Sequence, residues 1–453
     1  MINYLHGVHV KHMDEGGNSI ESIDSGIIGL VGTAPNADKD AFPDKKPVLV
    51  NKRKQLEGLG AEGTLKDALE GIFAQAMAQV VVVRVKEKYM EKTKHKKFVQ
   101  KKVQETTIEK VNGEYIEKVQ EKLVTEKATR IKKDKDGQDL KDKDGKPVME
   151  EYDKPVLVWE GDYEYGPETE QCGISKGVEA LLGAESTVFK QPKILIAPKY
   201  SKEKIVADKL GVVAKRLSAF ALVDTAEDAT NAKAIAQSKG LGNKRLEVVT
   251  PWVKIMETKD GKPAPRNVPA SSYHAGVMAK THSQKGFWWS NSNQPLRGIA
   301  GLARPIDYKI DDALSTANLL NAGQVTTIIM QGGFRSWGNR TTASETKWCF
   351  KNVVITNDMI ADSLTRAHQW AIDRNITSTY VSDVVENVNS YLRHLTQIGA
   401  IAGGRCWADP ELNSADEISS GKVCFDYEFS TFAPAEQITF QSRMTKNFLK
   451  EII

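Results

Sequence analysis

Residues 193–250 read KILIAPKYSKEKIVADKLGVVAKRLSAFALVDTAEDATNAKAIAQSKGLGNKRLEVVT. Three apolar runs, KILIA (193–197), AFALVD (219–224) and RLEVVT (245–250), alternate with helical periodicity over 203–218 and 228–238. Short aliphatic runs without polar alternation suit strands buried on both faces. Strands alternating with helices predict βαβ units and a largely parallel sheet covered on both sides.

The pattern extends towards the N-terminus. IIGLVGTA (27–34), PVLV (47–50) and VVVVRV (80–85) read as further strands, with another helix at about 175–187. TLKDALEGIFAQAM (64–77) reads as a helix with Thr64 as N-cap and Leu65, Leu69, Ile72 and Ala76 on one face. Gly26, Gly29 and Gly32 do not make the G-x-G-x-x-G spacing that cradles a dinucleotide, so this layer reads as a scaffold. Residues 86–155 interrupt it with a change of composition, opening on KEKYMEKTKHKKFVQKK. An Asn112-Gly113 pair between partly alternating segments signals a hairpin. DKDG at 134–137 and 142–145 resembles a calcium loop, but Lys132 and Leu140 occupy the position that needs a first acid. The block is expected to be a charged, solvent-facing β-rich insertion, its lysines being matched by glutamates.

Towards the C-terminus, GGFRSWGNRTT (332–342) has P-loop glycine spacing at Gly333 and Gly338, with Asn339 and Arg340 where Lys and Ser/Thr should stand. It has the shape of a nucleotide site without its chemistry. The serines near His274 lack a G-x-S-x-G elbow and an orienting acid. Two amphipathic helices follow. MIADSLTRAHQWAI (359–372) places Ile360, Leu364, Ala367 and Ala371 on one face. SDVVENVNSYLRHLTQIG (382–399) has Asp383 and Glu386 as a capping pair and Gly399 as its stop. AIAGGRCWAD (400–409), KVCFDYEFS (422–430) and QITFQSRMT (437–445) read as strands, the last with Ile438 and Phe440 on one side. NYLHGVHVKHMD (3–14) alternates as a lone N-terminal strand; His6 and His12 share a face while His9 points away, so they do not converge on a metal. Both end strands must find partners far away in the chain or in another copy.

The totals bound the function. A chain of 453 residues has room for two or three domains. Its formal net charge of +4, from 63 basic and 59 acidic residues, is too balanced for a dedicated nucleic-acid binder. No apolar run is long enough to span a membrane, and MINYLHGVHV lacks the order of a secretion signal, which predicts cytoplasmic synthesis. Cys172, Cys349, Cys406 and Cys424 have no metal-ligand spacing and read as reduced thiols, with late oxidation of a C-terminal pair as the alternative.

LLNAGQVTTIIMQGGFRSWGNRTT (319–342) resembles the L-N-x-x-G-V-x-x-I…G-x-x-x-W-G-x-R-T signature of contractile phage tail sheath proteins. VPASSYHAGVMAKTH (268–282) is similar to that family's P-A-S-x-x-x-A-G-x-x-A-x-x-D block, with Thr281-His282 near the usual aspartate. AHQWAIDRNIT (367–377), GRCW (404–407), GKVCFDYEFSTFAPAEQITF (421–440) and YLHGVHV (4–10) resemble the sheaths of temperate enterobacterial myophages and R-type pyocins. The resemblance covers nearly the whole chain outside 86–155.

It implies a multi-domain sheath fold of mixed α/β and α+β class: an N-terminal arm (1–24), an outer α/β domain (25–265), an inner tube-facing domain (266–434) and a C-terminal arm (435–453). It implies strand pairing between subunits through Tyr4, Val8, Val10, Cys424, Phe425, Tyr427, Phe429, Ile438 and Phe440. Arg366 and Arg393 would face the tube, and Gly332, Gly333, Trp337, Gly338 and Arg340 would form a structural turn. The implied partners are further copies in stacked, hexameric rings, a tail tube protein, and baseplate and terminator proteins. No catalytic residue, cofactor, metal, nucleic acid or membrane insertion is implied. A tailocin is the near alternative; the more distant ones are a nucleotide-binding α/β enzyme and a receptor-binding module built on the insertion.

Overall fold

The computed structural model describes residues 20–86, 89–94, 97–100, 102–111, 114–123, 125–132, 143, 148–155, 157–160, 163–259 and 262–445. The N-terminal strand with Tyr4, Val8 and Val10, the Asn112-Gly113 turn and, Lys143 apart, both DKDG repeats lie outside them. The chain divides into two compact units, Tyr89–Thr169 and the remainder.

The larger unit is built on one sheet. Its strands are β1 (Ile28–Thr33), β2 (Pro47–Val50), β3 (Val80–Val85), β4 (Ile194–Ile196), β5 (Phe220–Asp224) and β6 (Leu246–Val249). A hairpin follows, β7 (Val253–Lys259) with β8 (Lys262–Val268), outside the sheet. β9 (Val325–Met330) and β10 (Phe334–Trp337) then rejoin it, giving the order β10-β9-β6-β5-β4-β1-β3-β2. Contacts from β3 to β9 are parallel, and only the outermost strands on each edge run antiparallel to their neighbours. β1, β3, β4, β5 and β6 are buried along their whole length, as their unbroken apolar runs demand.

A domain boundary at 265/266 would cut this sheet, because Val325 and Thr326 of β9 pair with Val248 and Val249 of β6. The apolar run VTTIIM buries itself most fully by extending an existing parallel sheet. The insertion also ends later than position 155. Leu157–Glu160 and Tyr163–Thr169 pair antiparallel with Lys97–Gln100 and Tyr89–Lys94, carrying that unit to Thr169. Between them lie two more antiparallel pairs, Lys102–Val111 with Glu114–Leu123 and Thr125–Ile131 with Met149–Pro155.

Helices α1 (Leu65–Gln75), α2 (Glu170–Ala180), α3 (Lys204–Arg216), α4 (Asn231–Leu241) and α5 (Ser271–Lys285) accompany the sheet. After these come α6 (Thr316–Ala322), α7 (Lys351–Ala367) and α8 (Ser378–Gln397). α1 and α5 touch through facing glycines. A Cβ on Gly71 would stand 2.8 Å from the Tyr273 ring, and one on Gly276 would stand 2.9 Å from the Ile72 carbonyl oxygen. Thr64 precedes α1 without capping it; its hydroxyl accepts instead from the Thr33 amide of β1 at 3.1 Å.

Several titratable groups are sealed inside. Lys351, first residue of α7, donates to Glu247 of β6 at 2.5 Å, and both side chains are buried. His274 Nδ1 bonds Ser336 Oγ at 3.0 Å, and His282 donates to the Ser25 carbonyl oxygen at 3.1 Å. Burial, reinforced by the Lys351 charge, lowers His274 to about 3 and His282 to about 4. Burial raises the Asp224 carboxyl to about 6 against its bonds from Ser271 and Ser201.

These shifts act on stability in opposite senses. Below pH ~6.5 an unfolded chain protonates both histidines while the folded chain does not, so stability falls as acid is added. Asp224 takes its proton near pH 6 when folded but near 3.8 when unfolded, so it favours folding over that interval. Two wider shifts oppose one narrower shift. Thermal unfolding is therefore expected to move to lower temperature between pH 6.5 and 4, and His282→Asn should make that slope shallower; an unchanged slope would reject the assignment.

Candidate self-association surface

α8 carries a stripe of buried residues, Val384, Val388, Tyr391, Leu392 and Leu395, spaced three and four apart. Its N-cap is Thr377, whose hydroxyl accepts from the Tyr380 amide at 3.1 Å. Asp383 lies inside the helix, and Glu386 pairs with Arg393 instead of closing a capping box. Gly399, at φ +74°, turns the chain out of the helix.

The turn delivers β11 (Ile401–Trp407), which pairs antiparallel with β12 (Asp426–Thr431) as a two-stranded sheet. Two asparagines decide which backbone groups stay free. Asn389 of α8 accepts from Cys406 N at 2.8 Å and donates to Cys406 O at 3.0 Å. A β11 residue held in this way faces its N–H and C=O away from β12, so α8 occupies the second edge of β11 near the strand's C-terminal end. Asn413 holds Cys424 likewise, accepting from its N at 2.7 Å and donating to its O at 2.8 Å. Cys424, expected to pair with a neighbouring subunit, thus has both backbone groups engaged within its own chain and precedes β12. Tyr427 and Phe429 stack at 6.1 Å between ring centres, while Phe425 and Phe429 pack against the core.

The segment after β12 leaves the body of the subunit. Asn352 of α7 donates to the Phe432 carbonyl oxygen at 3.0 Å, and Arg340 donates to Glu436 at 2.7 and 3.0 Å. Residues 437–445 have no regular secondary structure, and Ile438, Phe440 and Met444 are 71, 91 and 102% exposed. The strand expected at 437–445 is absent from the single subunit. An extended segment becomes a strand only when a partner takes up its N–H and C=O groups, and among the described residues no strand pairs with this one.

GGFRSWGNRTT forms the β9–β10 turn and the strand beyond it. Gly332 and Gly333 take φ of +60° and +115°. Gly338, at φ +151°, has no room for a side chain, since a Cβ would lie 2.4 Å from Thr326 Oγ1. Trp337 meets Tyr308 edge-on at 5.2 Å. Arg340 is fixed against the start of α7 by bonds from Thr341 N to Cys349 O (2.7 Å) and from Lys351 N to Asn339 O (3.0 Å).

Arg366 and Arg393 stand on α7 and α8, 41 and 57% exposed. Arg366 pairs with Glu185 at 3.0 Å and Arg393 with Glu386. Cys349 is half-buried, Cys406 buried and Cys424 exposed, all as free thiols. Among the described residues no cluster of His, Cys, Asp and Glu could hold a metal.

A cavity of about 370 Å³ opens where the sheet reverses direction between β1 and β4, the usual ligand position in a doubly wound fold. Its polar walls pair with one another: Arg266 grips Asp67 at 2.7 and 2.8 Å, Asn267 donates to Glu227 at 2.7 Å, and Thr33 bonds Tyr200 at 3.3 Å. The asparagine contacts and Glu436 escape sequence reading, since a polar residue looks solvated whether or not it holds a distant backbone group.

Family models match three consecutive stretches. These are the tail sheath domain III N-terminal region over 25–85, the phage tail sheath central domain over 175–342 and the phage tail sheath C-terminal domain over 343–445. A prophage major tail sheath protein of Pseudomonas aeruginosa (strain UCBPP-PA14) is 31% identical over 453 residues, covering 100% of this chain and 99% of that one. The tail sheath protein of Escherichia phage P2 is 28% identical over 454 residues, covering 100% and 98%. The fold is that of the helical sheath of the anti-feeding prophage in its contracted state, with a TM-score of 0.61 and 15% identity over 98% of this chain and 100% of that one. Likeness of this extent in both sequence and fold assigns the chain to the phage tail sheath family.

Proposed function

We propose that this chain is the repeating subunit of a contractile tail sheath. Copies polymerise in stacked rings around a tail tube, between a baseplate and a terminator, and shorten to drive the tube through a bacterial envelope. One observation carries the reading: a C-terminal segment, residues 437–444, that has no regular secondary structure and exposes Ile438 and Phe440 to solvent. Strand addition gives such a segment backbone hydrogen bonds and side-chain pockets on a neighbour. The β12 edge is the natural receiver, with Tyr427 and Phe429 beside it. The N-terminal residues Tyr4, Val8 and Val10 would add from another copy.

A head-to-tail contact that does not close on itself generates a helix. Connected by arms, subunits rotate and slide without separating. A gain of ~2–3 kcal/mol per subunit, the scale of one buried aliphatic side chain, becomes large when summed along a tail, so contraction requires no nucleotide. The self-paired walls of the cavity at the sheet reversal agree with a scaffold role. We assign the insertion-bearing α/β part to the outside and the C-terminal part built on α7, α8 and the β11–β12 pair to the tube. No described helix is long and apolar enough to cross a membrane, and the assembled site is the virion tail after synthesis in the host cytoplasm.

Electron microscopy of the purified protein tests the reading. Hollow cylinders are expected, and a chain that stays monomeric across protein concentration and salt would overturn it. Arg366 and Arg393 are assigned to an acidic tube surface. Because each already has an acidic neighbour, such contacts are exchangeable and weak, of order 0–1 kcal/mol apiece. Combined R366E and R393E should leave tube-free cylinders intact and reduce assembly on tubes; wild-type tail assembly would retire the assignment.

A further inference from the structure

The C-terminal segment is held at two points before it departs, and both holds come from one corner of the fold. Asn352, on the first turn of α7 and 6% exposed, donates to the Phe432 carbonyl oxygen at 3.0 Å and also to that of Trp288 at 3.3 Å. Four residues on, Glu436 accepts from Arg340 Nε at 3.0 Å and Nη2 at 2.7 Å. Arg340 itself is hardly free to move. The Gly338 turn and the backbone bridge to Phe350 set its position, and its guanidinium lies 5.9 Å from the centre of the Phe350 ring. The bond to Glu436 also raises the guanidinium's pKa above its ordinary value. Beyond Glu436 the described large apolar side chains, Ile438, Phe440 and Met444, are open to solvent.

We infer that Arg340 and Asn352 form a clamp on the root of the arm, which fixes where and in what direction the exchangeable segment leaves the subunit. The inference rests on the sheath reading and deepens it. Asn352 is buried and holds a backbone carbonyl, so it is the permanent half of the clamp. The Arg340–Glu436 pair, with side chains 38 and 27% exposed, is the releasable half. Exposed ion pairs of this kind shift an opening equilibrium by about two- to five-fold and are weakened by salt. A clamp of that strength aims the arm in the free subunit and yields when subunits move. Without it the free length of the arm would grow by residues 432–436 and the arm would search a larger volume before meeting its receiver. Both residues act by positioning the arm, since neither is assigned to the contact between subunits.

The test uses the full chain and compares wild type, Arg340→Ala, Glu436→Gln and the reciprocal swap R340E with E436R. Hydrogen exchange at 432–436 should quicken about two- to five-fold in each single variant and return towards wild type in the swap. Exchange elsewhere and the melting temperature should stay unchanged. Cylinder growth followed by light scattering should slow in the single variants and recover in the swap, an outcome that loss of general stability would not produce. Single variants with wild-type exchange and growth, or a folded swap variant without recovery, would overturn the clamp while leaving the sheath reading intact. A wild-type chain that never polymerises would overturn both.

Discussion

A chain ending at Glu436 is expected to stay monomeric at concentrations where the full chain forms cylinders. Truncation there removes Ile438, Phe440 and Met444 but keeps Phe432 and Glu436 with their partners. The fold of the single subunit should not notice, because the deleted residues that are described lie in solvent. Assembly loses two kinds of term. Burying one Ile and one Phe on a neighbour is worth about 1.5–3 kcal/mol each. A strand of several residues adds hydrogen bonds of ~0.5–1.5 kcal/mol net apiece. Ordering the segment costs backbone entropy against both terms. Each ~1.4 kcal/mol left over per contact corresponds to a ten-fold rise in the concentration needed to polymerise. Sedimentation velocity and electron microscopy would measure it, with urea unfolding as the control. Truncated chains that built wild-type cylinders would remove the C-terminal arm from the mechanism.

That expectation depends on a segment whose state could not be read from its letters. QITFQSRMT alternates like a strand, and alternation reports which side would be buried if a partner were present, not whether the partner is in the same chain. By contrast, the β3 and β5 runs VVVVRV and FALVD declared themselves within a residue, because burial on both faces leaves no other way to satisfy them. α7 shows the intermediate case. Its apolar periodicity was visible only from Met359, yet the helix begins at Lys351. Its opening turns carry Lys351, Asn352 and Asp358, polar residues turned inward to Glu247, Phe432 and Arg245. Periodicity counts such residues as solvent-facing, so the start of the helix and the clamp it supports were hidden together. Arg340 and Glu436 are 96 positions apart, and nothing local to either one signals the other.

The same blind spot conceals the interaction with the largest expected effect on stability. Lys351 and Glu247 are 1 and 0% exposed and meet at 2.5 Å, with Thr326 donating to the same carboxylate oxygen. Lys351→Met keeps the volume of the side chain and removes its charge, leaving Glu247 buried against Thr326 alone. Breaking a buried pair from one side costs about 3–5 kcal/mol, because the remaining charge has lost both water and partner. Adding Glu247→Gln should return most of that loss, since an ion pair replaced on both sides by neutral groups is often close to neutral in stability. Urea unfolding of the two single variants and the double variant measures the coupling. The consequence reaches the arm, because Lys351 adjoins both Phe350, against which Arg340 lies, and Asn352, which holds Phe432. Lys351→Met should therefore quicken hydrogen exchange at 432–436 as well as destabilise the subunit, and the double variant should reverse both. Lys351→Met unfolding at the wild-type urea concentration would mean that the pair carries no desolvated charge, and the coupling between sheet and arm root would fall with it.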